Sequence, residues 1–174
     1  MACALIALHY QNDICHPDGK IPFAIGRAAP APSRFLEASR KTLERARQLG
    51  FVIAHVHIAF SQDYADLPRN CRLFRKVEEL GAVKLGSWGA EPYKGFEPHL
   101  GETCLIHKGN SAFFATGLQA ILQEKAVTDL AVCGACNAIF GRAHSPGRSG
   151  PRFSSHGPAG LLRFGQCSGR GGRV

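Results

Sequence analysis

His9 closes the apolar run Cys3–His9 (CALIALH), and Lys108 directly follows the run Thr103–His107 (TCLIH). A histidine exchanges protons near neutral pH and a lysine carries a fixed positive charge, so the two suit proton transfer on a polar substrate held against a cation. If they stand side by side, the lysine depresses the histidine pKa and leaves a neutral base. Cys133 and Cys136, in C-G-A-C, offer thiols. A zinc half-site needs a second half of similar spacing, and none is present, so buried free thiols are expected. His55 and His57 form H-x-H, and strand alternation puts both on one face, where they could chelate a metal. One core histidine and one strand-end histidine is the alternative to a chelating pair; no metal ligand is assigned and no cofactor is expected. Trp88 and Phe113 are candidate walls of a small-molecule pocket, with ordinary core packing as the alternative.

These residues need a scaffold, and the apolar pattern supplies one. Strands are predicted over Cys3–His9, Phe51–His57, Thr103–His107 and Leu130–Cys133. Between them, Phe35, Leu36, Ser39, Leu43, Ala46 and Leu49 recur at helical spacing from a start at Pro32–Ser33 to a stop at Gly50. Shorter helices are predicted over Leu73–Leu80, closed by Gly81, and over Thr116–Lys125. Alternating strands and helices predict an α/β fold, a three-layer sandwich around a parallel Rossmann-like sheet. In such sheets ligands bind at the carboxyl ends of the strands, which gathers His9, His57, Lys108 and Gly134–Asn137 at one edge.

The chain has 174 residues and a formal charge of +8, which would suit nucleic acid if the charge were spread over a binding face. It is not. Residues 1–140 hold 15 Lys and Arg against 13 Asp and Glu, whereas 141–174 hold six Arg and no acid. That last segment is dominated by Gly, Arg, Ser and Pro, shows neither helical nor strand period, and reads as a disordered basic tail. With only Phe153 and Phe164 to stack on bases, it predicts no nucleic-acid module. No apolar run approaches the roughly 20 residues of a membrane span, and the start lacks a signal-peptide layout, so a cytoplasmic protein with no membrane partner is expected.

Three motifs carry a resemblance: A-L-I-A-L-H-Y-Q-N-D (Ala4–Asp13), I-H-K-G-N-S-A-F (Ile106–Phe113) and A-V-C-G-A-C-N-A (Ala131–Ala138). Their order and spacing, with L-P-R-N (Leu67–Asn70) and L-G-S-W-G-A-E (Leu85–Glu91), resemble the isochorismatase-like superfamily of cysteine hydrolases and nicotinamidases, in its isochorismatase branch. The likeness covers Ala4 to about Ile139. It implies a hydrolase acting on an amide C–N or vinyl ether bond of a small molecule. In the family an Asp and a Lys flank the substrate; a Cys attacks amides, and members without the Cys use the Asp as an acid on vinyl ethers.

Carried onto this chain, the family Lys is Lys108, and His9 stands where the family has its Asp. A structural histidine hydrogen-bonded near Asn12 and Asp13 is the alternative role for His9. The nucleophile position, six residues after Gly134, is Phe140. Cys136, four residues earlier, is the candidate thiol, with a turn residue lending its backbone N–H to an oxyanion as the alternative. Gln11 of Q-N-D, with Trp88 and Phe113, is assigned to substrate binding. Family members commonly assemble, so homo-oligomers are expected.

The likeness stops at Phe140, dividing the chain into an incomplete hydrolase domain, 1–140, and a tail, 141–174. Codons can be chosen for Phe140–Phe153 whose one-base shift reads as a family-like helix ending in Leu-Gly-Phe. A frameshift would thus leave the C-terminal strands missing or replaced and a raw sheet edge. A catalytically inactive relative, serving as a binding or assembly unit, is the alternative to the enzyme.

Overall fold

The computed structural model describes residues 2–21, 32–70, 72–109 and 111–135, together with the backbone of 152–155 and 162–165. Cys136 and Phe140 lie outside the described residues. Four parallel strands, β1 (Ala2–Leu8), β2 (Val52–Ile58), β3 (Thr103–His107) and β4 (Val127–Gly134), form one sheet in the order β3-β2-β1-β4. β1 is central because its residues can face packing on both sides: Ala4 to Leu8 are all buried. Its register pairs Ala7 with His55 on β2 and with Cys133 on β4.

The connections are helical, as alternation predicts. The long helix α2 (Pro32–Gln48), which follows the single turn α1 (Asn12–Cys15), turns Leu36, Ser39, Leu43 and Ala46 inward. These four recur every three or four residues, one stripe of a helix. Gly50, at φ +70°, provides the left-handed turn back into β2. The helix α3 (Arg72–Leu80) buries Phe74 and Val77. With α1 and α2, it covers the sheet face bearing Leu5, Ala7 and Ile53. On the other face α4 (Leu118–Glu124) packs Leu118 and Leu122 against Ala4, Ile6, Leu8, Ala54, Val56 and Val132. The three layers expected from the sequence are present. No helix among the described residues is long and apolar enough to cross a membrane.

Beyond β4 the structure departs from the prediction that 141–174 holds no regular element. β5 (Arg152–Ser155) and β6 (Leu162–Gly165) pair antiparallel with each other, and β6 pairs antiparallel with β4. Leu130, Ala131 and Val132 would otherwise present unpaired N–H and C=O groups, and an open edge recruits any segment that can extend beside it. Composition conceals such a segment because edge pairing uses backbone, which a Gly/Arg/Ser-rich string also has.

Candidate active site

β1 stops at Leu8, one residue earlier than its apolar run, because His9 turns into the left-handed region at φ 59°. The turn is anchored: His9 N–H donates to Val56 O at 2.9 Å, and His9 O accepts from Gln11 N–H at 2.9 Å. Non-glycine residues seldom take this conformation, and histidine takes it more often than most. It aims the imidazole over the carboxyl end of β2, toward β3.

There it meets His107, not Lys108. The two Nε2 atoms are 2.5 Å apart, and the ring planes lie within 8° with centroids 4.8 Å apart. That is edge-to-edge contact through one hydrogen bond. Both residues are at most 2% exposed. Burial holds the pKa of His9 well below its ordinary value, with His107 and His57 reinforcing the effect, and burial lowers His107 to about 4. Both rings are therefore neutral at neutral pH. The depressed, neutral His9 expected from the sequence is present, but solvent exclusion and neighbouring imidazoles cause it, not the Lys108 ammonium.

Lys108 is half-exposed, and its Nζ forms an ion pair with Asp66 Oδ2 at 2.5 Å. Asp66 also accepts from the N–H and hydroxyl of Ser61. Burial opposes ionisation of Asp66, but Lys108 and Ser61 outweigh it and hold the pKa at about 2. The expected His9–Lys108 pair is thus replaced by two pairs, His9–His107 and Lys108–Asp66.

Gln11, assigned to substrate binding from the sequence, is committed to backbone groups. It is fully buried, its Nε2 donating to Ile58 O at 2.9 Å and Ala90 O at 2.8 Å, while its Oε1 accepts from Ile58 N–H at 2.8 Å. Asn12 donates to Trp88 O at 2.8 Å. Asp13 accepts from Val83 N–H at 2.7 Å and Lys20 N–H at 3.1 Å. Q-N-D is therefore a clamp, fastening the 83–91 segment to the exit of β1. Gly89 is part of it, since a Cβ there would overlap the Asp13 carboxylate. The clamp presents Trp88 half-exposed, edge-on to His16 at 5.1 Å, in a position to wall a site, and Phe113 is 39% exposed.

The H-x-H pair has other commitments. His55 Nε2 contacts Glu102 Oε2 at 2.8 Å, and Glu102 takes Arg47 in a two-pronged ion pair. Burial opposes the Glu102 charge, but Arg47, the His99 N–H and His55 together lower its pKa to about 2. His57 Nδ1 is 3.7 Å from Cys104 Sγ, and burial, His55 and His107 bring its pKa to about 4. Among the described residues no group of three His, Cys, Asp or Glu is arranged to hold a metal ion. The donors present do not fit a bound metal, because His55 and Glu102 are consumed by each other and by Arg47. His107, Asp66 and Glu102, the partners of His9, Lys108 and His55, are the groups that sequence reasoning missed.

A parallel sheet with helices on both faces and titratable side chains at its strand ends defines a three-layer α/β fold of Rossmann-like type. The Isochorismatase domain model matches residues 3–139, and the chain belongs to the isochorismatase family. An isochorismatase family protein from Desulfovibrio vulgaris is similar at 29% identity and TM-score 0.64, the match covering 76% of this chain and 66% of that one. N-carbamoylsarcosine amidase from Thermoplasma acidophilum shares the fold at 21% identity and TM-score 0.58, over 77% of this chain and 68% of that one. The pyrazinamidase of Pyrococcus horikoshii, solved in complex with zinc, does so at 17% identity and TM-score 0.58, over 77% and 70%. The chain thus spans about two thirds of the length of these relatives.

Proposed function

We propose that this chain hydrolyses an amide C–N or vinyl ether bond of a small molecule at the carboxyl ends of β1–β3. The observation that carries this reading is a buried, neutral imidazole, His9, standing where the family has its proton-carrying carboxylate. A neutral imidazole of depressed pKa takes a proton from an attacking water. An imidazolium so formed is short-lived in this buried setting and gives a proton up readily to the departing group. With phenylalanine at position 140, direct attack by water, or vinyl ether cleavage, fits better than a thioester route. Cys136 remains the candidate to hold an oxyanion through its N–H, Trp88 and Phe113 to wall the pocket, and Lys108 to supply the cation. A homo-oligomeric, cytoplasmic enzyme, binding neither nucleic acid nor membrane, accords with this reading.

A turnover screen against isochorismate, nicotinamide and simple amides tests it, with His9→Ala and Lys108→Ala as controls. Activity abolished by His9→Ala supports the proposal; activity untouched by both substitutions refutes the site. A specific observation favours a second reading, a family fold kept as a non-catalytic binding unit: the Lys108 charge is already neutralised by Asp66. In that case no substrate turns over, while a ligand still protects the fold.

A further inference from the structure

We infer that His9 and His107 form a two-imidazole proton relay, in which His107 is the positioning residue that sets which ring nitrogen of His9 is free to take a proton. The inference rests on the hydrolase reading for its purpose but on geometry for its existence. Two Nε2 atoms at 2.5 Å, in nearly coplanar rings meeting edge to edge, require one proton between them. Two lone pairs or two N–H groups would repel at that distance. With both rings neutral, the tautomers must therefore be opposite. If His9 carries its proton on Nε2, His107 accepts at Nε2 and carries its own on Nδ1; if His107 donates, His9 carries its proton on Nδ1.

The pair can therefore pass a proton without storing charge. A proton arriving at His9 Nδ1 releases the His9 Nε2 proton to His107 Nε2, and His107 in turn gives up its Nδ1 proton. One proton enters, one leaves, and both rings end neutral in the exchanged tautomers. At the far terminal His107 Nδ1 is buried and makes no hydrogen bond of good geometry among the described residues, while the Gly109 backbone beside the ring favours its protonated form. An orphaned buried polar atom is costly unless a water or ligand atom engages it. The turn that follows β1 supplies one ring and β3 the other, and β2 contributes His57 as the titratable neighbour of both. A third buried imidazole there disfavours an extra proton lodging on the pair.

Nitrogen NMR of the full chain labelled with 15N-histidine, near pH 7.5 and without substrate, tests the relay. The expected spectrum shows His9 and His107 neutral, in opposite tautomers, with a nitrogen–nitrogen coupling across the hydrogen bond. His107→Phe should erase that coupling and return His9 to a mixture of tautomers. Identical tautomers, an imidazolium on either ring, or no coupling in the wild type would overturn the inference. Because no turnover is involved, such a result leaves the hydrolase reading standing. A coupled pair in a chain that turns nothing over refutes that reading alone.

Discussion

Replacing Gln11 with leucine separates two roles that look alike in sequence. Leucine keeps similar bulk but removes every polar atom from a side chain that is 0% exposed. Three backbone partners then lose their bonds: Ile58 N–H and the carbonyls of Ile58 and Ala90. An unsatisfied buried group costs about 1–3 kcal/mol, and carbonyls with a second lone pair fall at the low end, so the loss should total about 3–6 kcal/mol. Against a typical stability of about 5–15 kcal/mol that is a large fraction. Denaturant unfolding should show a much lower midpoint with an unchanged slope. Gln11→Glu, which keeps the acceptor for Ile58 N–H, loses both donated bonds and buries a charge, and should be no milder. If Gln11→Leu costs under about 1 kcal/mol and instead raises KM, Gln11 is a substrate contact and the clamp is wrong.

The remaining predictions concern charge, strain and the end of the chain. Folded His57 and His107 bind protons only near pH 4, whereas unfolded histidine binds them near 6.5, so the unfolded state takes up more protons between those values. Stability should hold above pH 6.5 and fall as pH drops toward 4, by up to about 3 kcal/mol for one independent histidine; a flat midpoint over that window would contradict the burial of neutral rings. Lys108→Ala breaks a partly exposed pair and should cost under about 1 kcal/mol, so thermal unfolding should barely move and any loss of activity is chemical. Gly89→Ala should cost about 2–4 kcal/mol by pushing Asp13 off Val83 N–H, and a neutral result would show that the clamp can give. Sequencing genomic DNA through codon 140 should reveal a shifted frame; an unbroken frame in independent reads makes 141–174 a native segment.

The strands and helices were legible because burial on both sheet faces writes itself as apolar runs and α2 as a helical stripe. Boundaries slipped by one to three residues, among them those where the backbone turns left-handed, at His9, at Gly117 before α4 and at Ala126 before β4. α1 went unseen because four residues cannot show a period. The site was legible as a region but not as pairs. That His9 would find His107, and Lys108 find Asp66, depends on the direction His9 takes in its left-handed turn. One signal was available: the three apolar runs Cys3–His9, Phe51–His57 and Thr103–His107 all end in histidine, and parallel strands bring such ends together. The role of Gln11 was not legible because a buried amide clamping backbone and an amide gripping a substrate use the same side chain.

The most direct test of the central claim, that His9 is the proton carrier, is kcat/KM for wild type and His9→Ala on the best substrate from the turnover screen, with folding checked in parallel. Loss of a positioned acid–base group should lower it about 100-fold or more. A folded His9→Ala protein that retains wild-type kcat/KM would contradict the account.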